Sequence, residues 1–216
     1  MELESTKPRP SDRGGQPAQQ REHLARGRET IRKLLLAGME VFGRDGYRGA
    51  SVGAIVERAG ISRATFYVYF ANKDDLFRAL ALDAVEEMTG LAESLEPVAL
   101  TDAGFADLRG WLERYLDLCA RLGPVFHAWT EAFATKAAFG DLGSQTLDAF
   151  TATLEERLAA MGTATPHLTA FALLGMLDRF SLYVRYERVG VPWDEMLDGL
   201  TRVVQGMLFG PPGAPG

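Results

Sequence analysis

Hydrophobic side chains recur at three- and four-residue intervals over most of the chain, which is the period of an amphipathic helix. No segment alternates between hydrophobic and polar residues for long enough to predict a strand. Glycine and proline interrupt the pattern at 96–97, 123–124, 140–143, 162–166 and 190–192. After residue 71 these interruptions delimit helices at 72–95, 102–121, 124–138, 144–161, 166–189 and 193–209. With three helices before them, the pattern predicts an all-α fold of about nine helices.

The segment from Ser51 to Phe70 has the pattern of two short helices joined by a tight turn. The apolar residues of the first helix fall on one face by their spacing: Val52, Ile55, Val56 and Ala59. Gly60 follows them as a helix-stop signal, and Ser62 can cap the second helix through its hydroxyl. Two helices around a glycine-bearing turn form the helix-turn-helix pattern, so we expect residues 51–70 to be such a motif.

The second helix of this motif has two distinct faces. Its apolar anchors are Ile61, Phe66 and Phe70. Arg63, Ala64 and Tyr67 then point away from the core, at the end of the helix that lies near base edges in helix-turn-helix proteins. The same pattern also occurs in helical domains that bind no DNA, so the flanks matter. An amphipathic helix that ends near Gly46 precedes the motif, and Asn72 can cap a further helix after it.

With these flanks, residues 28–88 resemble the DNA-binding domain of the TetR family of bacterial transcriptional regulators. The matching residues are Phe42, Gly46, Tyr47, Ser51, Ile55, Ala59, Gly60, Ile61, Ser62, Thr65, Phe66, Tyr67, Tyr69, Phe70, Asn72, Lys73 and Leu76. The chain departs from the common family pattern at Ala54, Val56, Ala64 and Tyr69. These departures do not alter the packing of the motif, and they leave the preferred DNA sequence open.

The resemblance implies DNA contacts from seven residues of the motif and its flank: Ser51, Arg63, Ala64, Thr65, Tyr67, Tyr69 and Lys73. The guanidinium of Arg63 can pair with O6 and N7 of guanine, which makes it the candidate for direct base reading. Ala64 and Thr65 would meet a thymine methyl group or a backbone oxygen. The two tyrosines would donate to phosphates, although Tyr69 has the alternative of a partly buried position. Lys73 would add charge at a helix N-terminus that already favours phosphate.

Charge is distributed unevenly along the 216 residues. Residues 1–78 contain 14 basic and 10 acidic side chains, whereas residues 79–216 contain 9 and 19. A basic N-terminal part suits contact with phosphates, and an acidic remainder suits a surface that faces away from DNA. Ordinary variation of surface charge would produce the same asymmetry, so the charge supports the motif without replacing it.

Composition divides the chain into four parts. Residues 1–25 are rich in Pro, Gly, Gln and charge and are predicted to be a disordered tail. Arginines of this tail could reach a DNA groove, but a solvated tail fits the composition better. Residues 26–88 would form the helix-turn-helix domain, and residues 89–209 a larger helical domain for ligand binding and dimerisation. Residues 210–216 are predicted to be a flexible tail.

The helix predicted at 166–189 is apolar on more than one side, so it must be covered on more than one side. One large core would cover it, and so would a core on one face and a second subunit on another. The resemblance favours the second arrangement, because TetR-like proteins typically dimerise through their last two long helices as a four-helix bundle. A homodimer with recognition helices about 34–36 Å apart fits a palindromic operator in double-stranded DNA.

Aromatic residues of the middle helices form a second candidate site: Trp111, Tyr115, Phe126, Trp129 and Phe133. Taken singly, each is best explained as hydrophobic core. Together with the resemblance they predict an apolar cavity for a small-molecule effector, because this region commonly binds the inducer in TetR-like proteins. Ligand binding would then shift the balance between two dimer geometries and change the spacing of the recognition helices.

No arrangement of residues predicts catalysis, a metal site or a cofactor. His127 and Glu131 share a helix face, but two ligands make a poor metal site. Cys119 cannot form an internal disulfide and sits among leucines, which predicts a buried structural thiol and fits a cytoplasmic protein. The chain has neither an apolar run of about 18 residues nor the pattern of a signal peptide at its start, so we expect no membrane span.

These observations predict a dimeric DNA-binding transcriptional regulator and not an enzyme. The first form of this hypothesis is a repressor that a small, largely apolar ligand releases from its operator. The alternative is a regulator of the same architecture without small-molecule input, controlled by its abundance or by a protein partner. A cavity among the middle helices would favour the first form, and a packed middle would favour the second.

Overall fold

The computed structural model describes residues 18–133, 137–185 and 190–209, with side chains described for residues 26–132, 148–184 and 190–209. Within these ranges the chain forms eight α-helices and no strand: α1 (Ala18–Gly49), α2 (Val52–Ala59), α3 (Arg63–Tyr69), α4 (Lys73–Glu93), α5 (Asp102–Phe133), α6 (Ala137–Ala160), α7 (Pro166–Arg185) and α8 (Trp193–Phe209). The all-α fold predicted from the hydrophobic pattern is therefore confirmed. No helix in these ranges combines the length and the hydrophobicity that crossing a membrane requires.

Helix α1 consists of a long helical segment and a final turn that meet at Gly46, where φ is 69° and ψ is 175°. This region of backbone space is open almost only to glycine, so Gly46 ends the long segment where the sequence predicted an end. At its other end α1 begins at Ala18 rather than at residue 26, so the last part of the predicted disordered tail is helical. Residues 1–17 and the predicted tail at 210–216 lie outside the described residues.

Helices α1 to α4 enclose the N-terminal part of the hydrophobic core. Phe42, Phe66 and Phe77 expose no surface, and the rings of Phe42 and Phe77 meet edge to face with their centroids 4.9 Å apart. Ile55 of α2 is also fully buried, so the face that the spacing predicted to be apolar is the packed one. Each such burial is worth about 1.5–3 kcal/mol. Together these contacts hold α2 and α3 in a fixed relation to α1 and α4.

Helix α5 is longer than predicted. The break expected at 123–124 is wrong, since the helix continues to Phe133. Pro124 lies inside α5, although a proline in a helix interior costs roughly 3 kcal/mol through the lost hydrogen bond and a clash with the preceding turn. Its ring packs on α1 at Gly43, where a methyl group would be only 2.6 Å from Cβ of Pro124. Packing against α1 therefore outweighs the local signal for a break.

The break expected at 140–143 is also wrong, since α6 continues through these residues. Glycine lowers helix propensity by about 1 kcal/mol without blocking a helix, and α6 packs against α4 and α7. Helix α8 has the predicted bounds. Helix α7 is described as far as Arg185, and the predicted residues 186–189 lie outside the described part of the chain.

Helices α5 and α8 are joined near one end by Arg109. Its guanidinium donates hydrogen bonds to Asp198 at 2.8 Å and to Asp194 at 2.6 Å. These two bonds raise the pKa of Arg109 above its usual value. Because the group is partly exposed, water screens the charges, and the network adds little to the free energy of folding. Its main effect is on the relative orientation of the two helices. It sets how the start of α8 meets α5.

Candidate nucleic-acid interface

The start of α2 and the turn between α2 and α3 are built by two serines and a glycine. Oγ of Ser51 accepts a hydrogen bond from the N–H of Ala54 at 3.2 Å, and Oγ of Ser62 accepts one from the N–H of Thr65 at 3.1 Å. Gly60 has φ 64° and ψ 35°, the left-handed conformation that closes a helix. The predicted caps and turn are confirmed. They fix where each helix starts and how the two cross.

The outer face of α3 presents four side chains to solvent. Arg63 and Ala64 are exposed, Tyr67 is 55% exposed and Val68 is 74% exposed. We call these four residues the recognition face. Val68 was not among the predicted contacts, although its spacing of four residues from Ala64 puts it on the same side of a helix. The recognition face thus offers groups that suit guanine, thymine methyl groups and phosphates.

The starts of α2 and α3 lack the negative charge that usually accompanies a helix N-terminus. Neither helix has an acidic residue in its first turn. A helix N-terminus carries partial positive charge, so an acidic residue there is stabilising and a basic one is not. Helix α3 nevertheless begins with Arg63. The concentration of positive potential at this turn is suited to a polyanion such as the DNA backbone.

Lys73 makes contacts within the protein that the sequence did not predict. Its Nζ donates to the carbonyl oxygens of Tyr47 at 2.8 Å and Ala50 at 2.9 Å, and it lies 4.9 Å from the centroid of the Tyr47 ring. The ammonium therefore satisfies carbonyls at the end of α1. Beside it, the hydroxyl of Tyr47 donates to Asp74 at 2.6 Å. These contacts make Lys73 a link between α4 and α1, and its phosphate contact stays a prediction.

The remaining predicted contacts differ in exposure. Ser51 is exposed, whereas Thr65 and Tyr69 are half-buried. The hydroxyls of Thr65 and Ser62 lie 2.9 Å apart, so the threonine belongs to the capping arrangement. A methyl group on Gly27 would lie 3.7 Å from the hydroxyl of Tyr69. Tyr69 therefore packs along α1, which is the partly buried alternative that the sequence left open.

The aromatic candidates for ligand binding are packed as core where their side chains are described. Trp111 and Tyr115 are buried and stacked, with ring centroids 5.8 Å apart. Nε1 of Trp111 donates to a backbone carbonyl of α4 at 2.8 Å. Trp129 is buried and Phe126 is half-buried, while the side chain of Phe133 lies outside the described residues. These contacts are those of core positions, which is one of the two alternatives that the sequence left open.

A concave site of about 460 Å³ lies between the start of α5 and α8. It is lined by Leu100, Thr101, Asp102, Phe105, Arg202 and Gln205. The guanidinium of Arg202 lies over the ring of Phe105, 5.8 Å from its centroid. None of the predicted ligand-binding residues lines this site, and it is open to solvent.

Polar groups of α5 that could serve chemistry are in structural positions. Burial raises the pKa of the Cys119 thiol to about 11, so the thiol stays protonated at neutral pH. Nε2 of His127 lies 3.6 Å from one carboxylate oxygen of Glu131, and the other oxygen accepts from the N–H of Arg48 at 3.4 Å. Among the described side chains, no three potential metal ligands come together.

Fold and interface together define a helix-turn-helix protein in which further helices, α5 to α8, pack behind the helices that carry the recognition face. Residues 34–80 match the family model described as bacterial regulatory proteins, tetR family. The helix-turn-helix region of the chain is therefore that of a TetR-family bacterial transcriptional regulator.

Two curated relatives are similar to parts of the chain. The uncharacterised HTH-type transcriptional regulator YdgC of Bacillus subtilis is 35% identical over 71 residues, which cover 33% of this chain and 36% of that protein. The HTH-type transcriptional repressor Rv1474c of Mycobacterium tuberculosis is 32% identical over 127 residues, which cover 56% and 66% of the two proteins. The chain thus spans about a third to two thirds of the length of these relatives.

The likeness to solved structures extends over more of the chain. The fatty acid degradation regulator FadR from Bacillus halodurans superposes with a TM-score of 0.61 at 21% identity, over 86% of this chain and 97% of that one. At this identity the comparison concerns the fold alone. It extends the agreement beyond the helix-turn-helix to the helices behind it.

Proposed function

We propose that this protein is a DNA-binding transcriptional repressor that binds a palindromic operator as a homodimer. The recognition face of α3 carries this proposal. A valine that is 74% exposed and a tyrosine that is 55% exposed contribute little to a seven-residue helix by itself, so a binding surface explains them better. The repressor role follows the name of the Mycobacterium tuberculosis relative. Because the proposed ligand is chromosomal DNA, the proposed location is the cytoplasm.

We place the dimer interface on α7 and α8. Leu168 and Phe171 of α7 are 67% and 45% exposed, and Val203 of α8 is 54% exposed. Covering such side chains with a partner stabilises the complex by about 25 cal/mol for every Å² of apolar surface removed from water. A second copy of the chain covers both helices at once in the four-helix bundle by which TetR-like proteins typically dimerise. The bundle would bring two recognition faces to one side of the dimer.

Binding titrations test the DNA part of the proposal. Footprinting on the DNA upstream of the protein's own gene would supply the operator, and a scrambled duplex of equal length would supply the reference. We expect tight binding to the operator that weakens steeply as salt is raised, because phosphate contacts release counterions. Arg63→Ala should reduce the preference for the operator by about 1–3 kcal/mol at one base pair of each half-site.

The matched control for Arg63 is Arg121→Ala. Arg121 is an exposed arginine of α5 that pairs with Glu87 of α4, away from the recognition face. Operator preference should be unchanged in this variant. Equal binding of the wild-type protein to operator and scrambled duplex at every salt concentration would contradict the proposed function. Unchanged discrimination by Arg63→Ala would contradict base reading by Arg63.

Two candidates remain for the signal that controls binding. In the first, a small and largely apolar ligand releases the repressor, and the name of the Bacillus halodurans neighbour directs the choice of fatty acids as first probes. In the second, the protein has no small-molecule input and is controlled by its abundance or a protein partner. The packing of Trp111 against Tyr115 favours the second candidate, because it leaves these rings in contact with protein.

A thermal-shift series separates the two candidates. A ligand at a hundred times its Kd stabilises the native state by about 2.7 kcal/mol, which is a readily measured rise in Tm. We would titrate fatty acids of increasing chain length and a panel of apolar drugs. A rise in Tm together with release from the operator would establish the first candidate. No shift across the panel would favour the second.

A further inference from the structure

Gly53 and Arg63 lie against each other across the helix-turn-helix. Gly53 is the second residue of α2, and a methyl group built on it would be 3.2 Å from Nη2 of Arg63 and 3.6 Å from Oγ of Ser51. The guanidinium of Arg63 therefore reaches back over the first turn of α2. The side chain has room there because residue 53 carries only a hydrogen.

Within the described part of the chain, no bonded partner holds this guanidinium in place. Among the side chains that the structure describes, none forms a hydrogen bond or an ion pair with Arg63. Its five N–H donors are therefore available to a ligand. With no bond to hold it, the range of positions open to the side chain depends on the space beside it.

The glycine itself is not explained by the backbone of α2. Gly53 lies in the helix without the positive φ that demands glycine at Gly46 and Gly60. Alanine would be the better helix former at this position. The remaining property that distinguishes glycine is the open space, and the side chain that uses that space is Arg63.

We infer that Gly53 is a positioning residue for operator recognition. By leaving space at the start of α2, it allows the guanidinium of Arg63 to lie against the first turn of that helix. This inference rests on the proposed function and adds a specificity-determining residue outside the recognition face. A methyl group at position 53 would lie 3.2 Å from Nη2, closer than ordinary van der Waals contact, so it displaces the guanidinium by a few tenths of an ångström.

A double-mutant cycle tests the inference. Gly53→Ala, Arg63→Ala and the double variant would be titrated against the footprinted operator, its single-base variants and the scrambled duplex. We expect Gly53→Ala to lower the ratio of operator to scrambled affinity by about threefold to tenfold, part of the loss expected for Arg63→Ala. In the Arg63→Ala background the same substitution should have no further effect, because the side chain that it displaces is gone.

Folding and helix propensity are controlled separately. The Tm of Gly53→Ala should equal or exceed that of the wild-type protein, since alanine favours the helix. Gly90→Ala is the matched control: Gly90 lies in α4 with nothing within 4 Å of an added methyl group. Operator discrimination should be unchanged in that variant.

The outcomes distinguish this inference from the proposed function. Wild-type protein that discriminates its operator, together with Gly53→Ala that discriminates equally well, would overturn the positioning role alone. An equal loss from Gly53→Ala in both backgrounds would also overturn it, because the effect would then not act through Arg63. Wild-type protein without any operator preference would overturn the proposed function, and the role of Gly53 with it.

Discussion

Cys119 lies on α5, where burial raises the pKa of its thiol to about 11. An ordinary cysteine thiol has a pKa of about 8.5, and only the thiolate reacts with alkylating agents. At pH 8 about one native molecule in a thousand would be ionised at this position. We expect iodoacetamide to label the native protein far more slowly than the urea-unfolded chain, with the native rate rising steeply above pH 10. Mass spectrometry of quenched samples measures both, and equal rates at pH 8 would contradict the burial.

Lys73 provides a second prediction for a single residue. Lys73→Met keeps the length of the side chain but leaves the carbonyls of Tyr47 and Ala50 without their donor. We expect a loss of about 1–3 kcal/mol in the free energy of unfolding, measured by urea titration. The dependence of DNA binding on salt should be unchanged. A salt slope that falls by about one in a variant of normal stability would instead restore the phosphate contact that the sequence predicted.

At the scale of residues, the features predicted correctly from the sequence are those that neighbouring residues determine. Serine caps and the glycine turn follow from backbone groups a few positions away, so Ser51, Gly60 and Ser62 were found. The role of Lys73 depends on carbonyls more than twenty residues earlier in the chain, which no local pattern reveals. Val68 was missed for a different reason: a valine suggests core, and only its helical position places it outside.

At the scale of helices, the kink of α1 places the strictest requirement on the type of residue, because its backbone conformation is open almost only to glycine. Gly46→Ala would force a side chain into a backbone region that costs about 1–3 kcal/mol, and the new methyl group would lie 2.6 Å from a carboxylate oxygen of Glu131. We therefore expect a destabilised protein, measured by thermal or urea unfolding. Gly90→Ala, in the last turn of α4 with nothing within 4 Å of the added methyl group, should be neutral or stabilising by up to about 1 kcal/mol. Equal free energies of unfolding for the two variants would contradict the requirement for glycine at position 46.

Helix boundaries were predicted correctly where a helix's own residues determine them and contacts with another helix do not. The bounds of α8 follow from its own periodicity, and they were found from the sequence. The continuity of α5 depends on what Pro124 contacts in α1, which lies far away along the chain. Glycine and proline therefore mark where a helix is easily ended, while packing decides whether it ends there.

At the scale of the whole molecule, the proposed dimer is the main expectation. A glutamate at Leu168 would place a charge in the apolar interface of α7 and α8. We expect Leu168→Glu to sediment as a monomer of 23.6 kDa, whereas the wild-type chain sediments as a dimer. Analytical ultracentrifugation at micromolar concentration measures this difference.

Leu100 offers the control for that experiment. Both leucines are 67% exposed, but Leu100 precedes α5 and lies off the proposed interface. Leu100→Glu should remain dimeric. Monomeric wild-type protein, or loss of the dimer in both variants, would contradict an interface on α7 and α8.

The uninterrupted course of α5 has a mechanical consequence. Its 32 residues make a rod about 48 Å long at 1.5 Å per residue. Near one end, Arg109 donates a hydrogen bond to Asp194 at the start of α8. Near the other end, a carboxylate oxygen of Glu131 accepts a hydrogen bond from the backbone N–H of Arg48, three residues before the cap of α2. Tilting a helix of this length by one degree about its centre moves each end by about 0.4 Å. In the proposed dimer, the alignment of the subunits and the orientation of α3 are therefore not independent, because one continuous helix joins the contacts at its two ends.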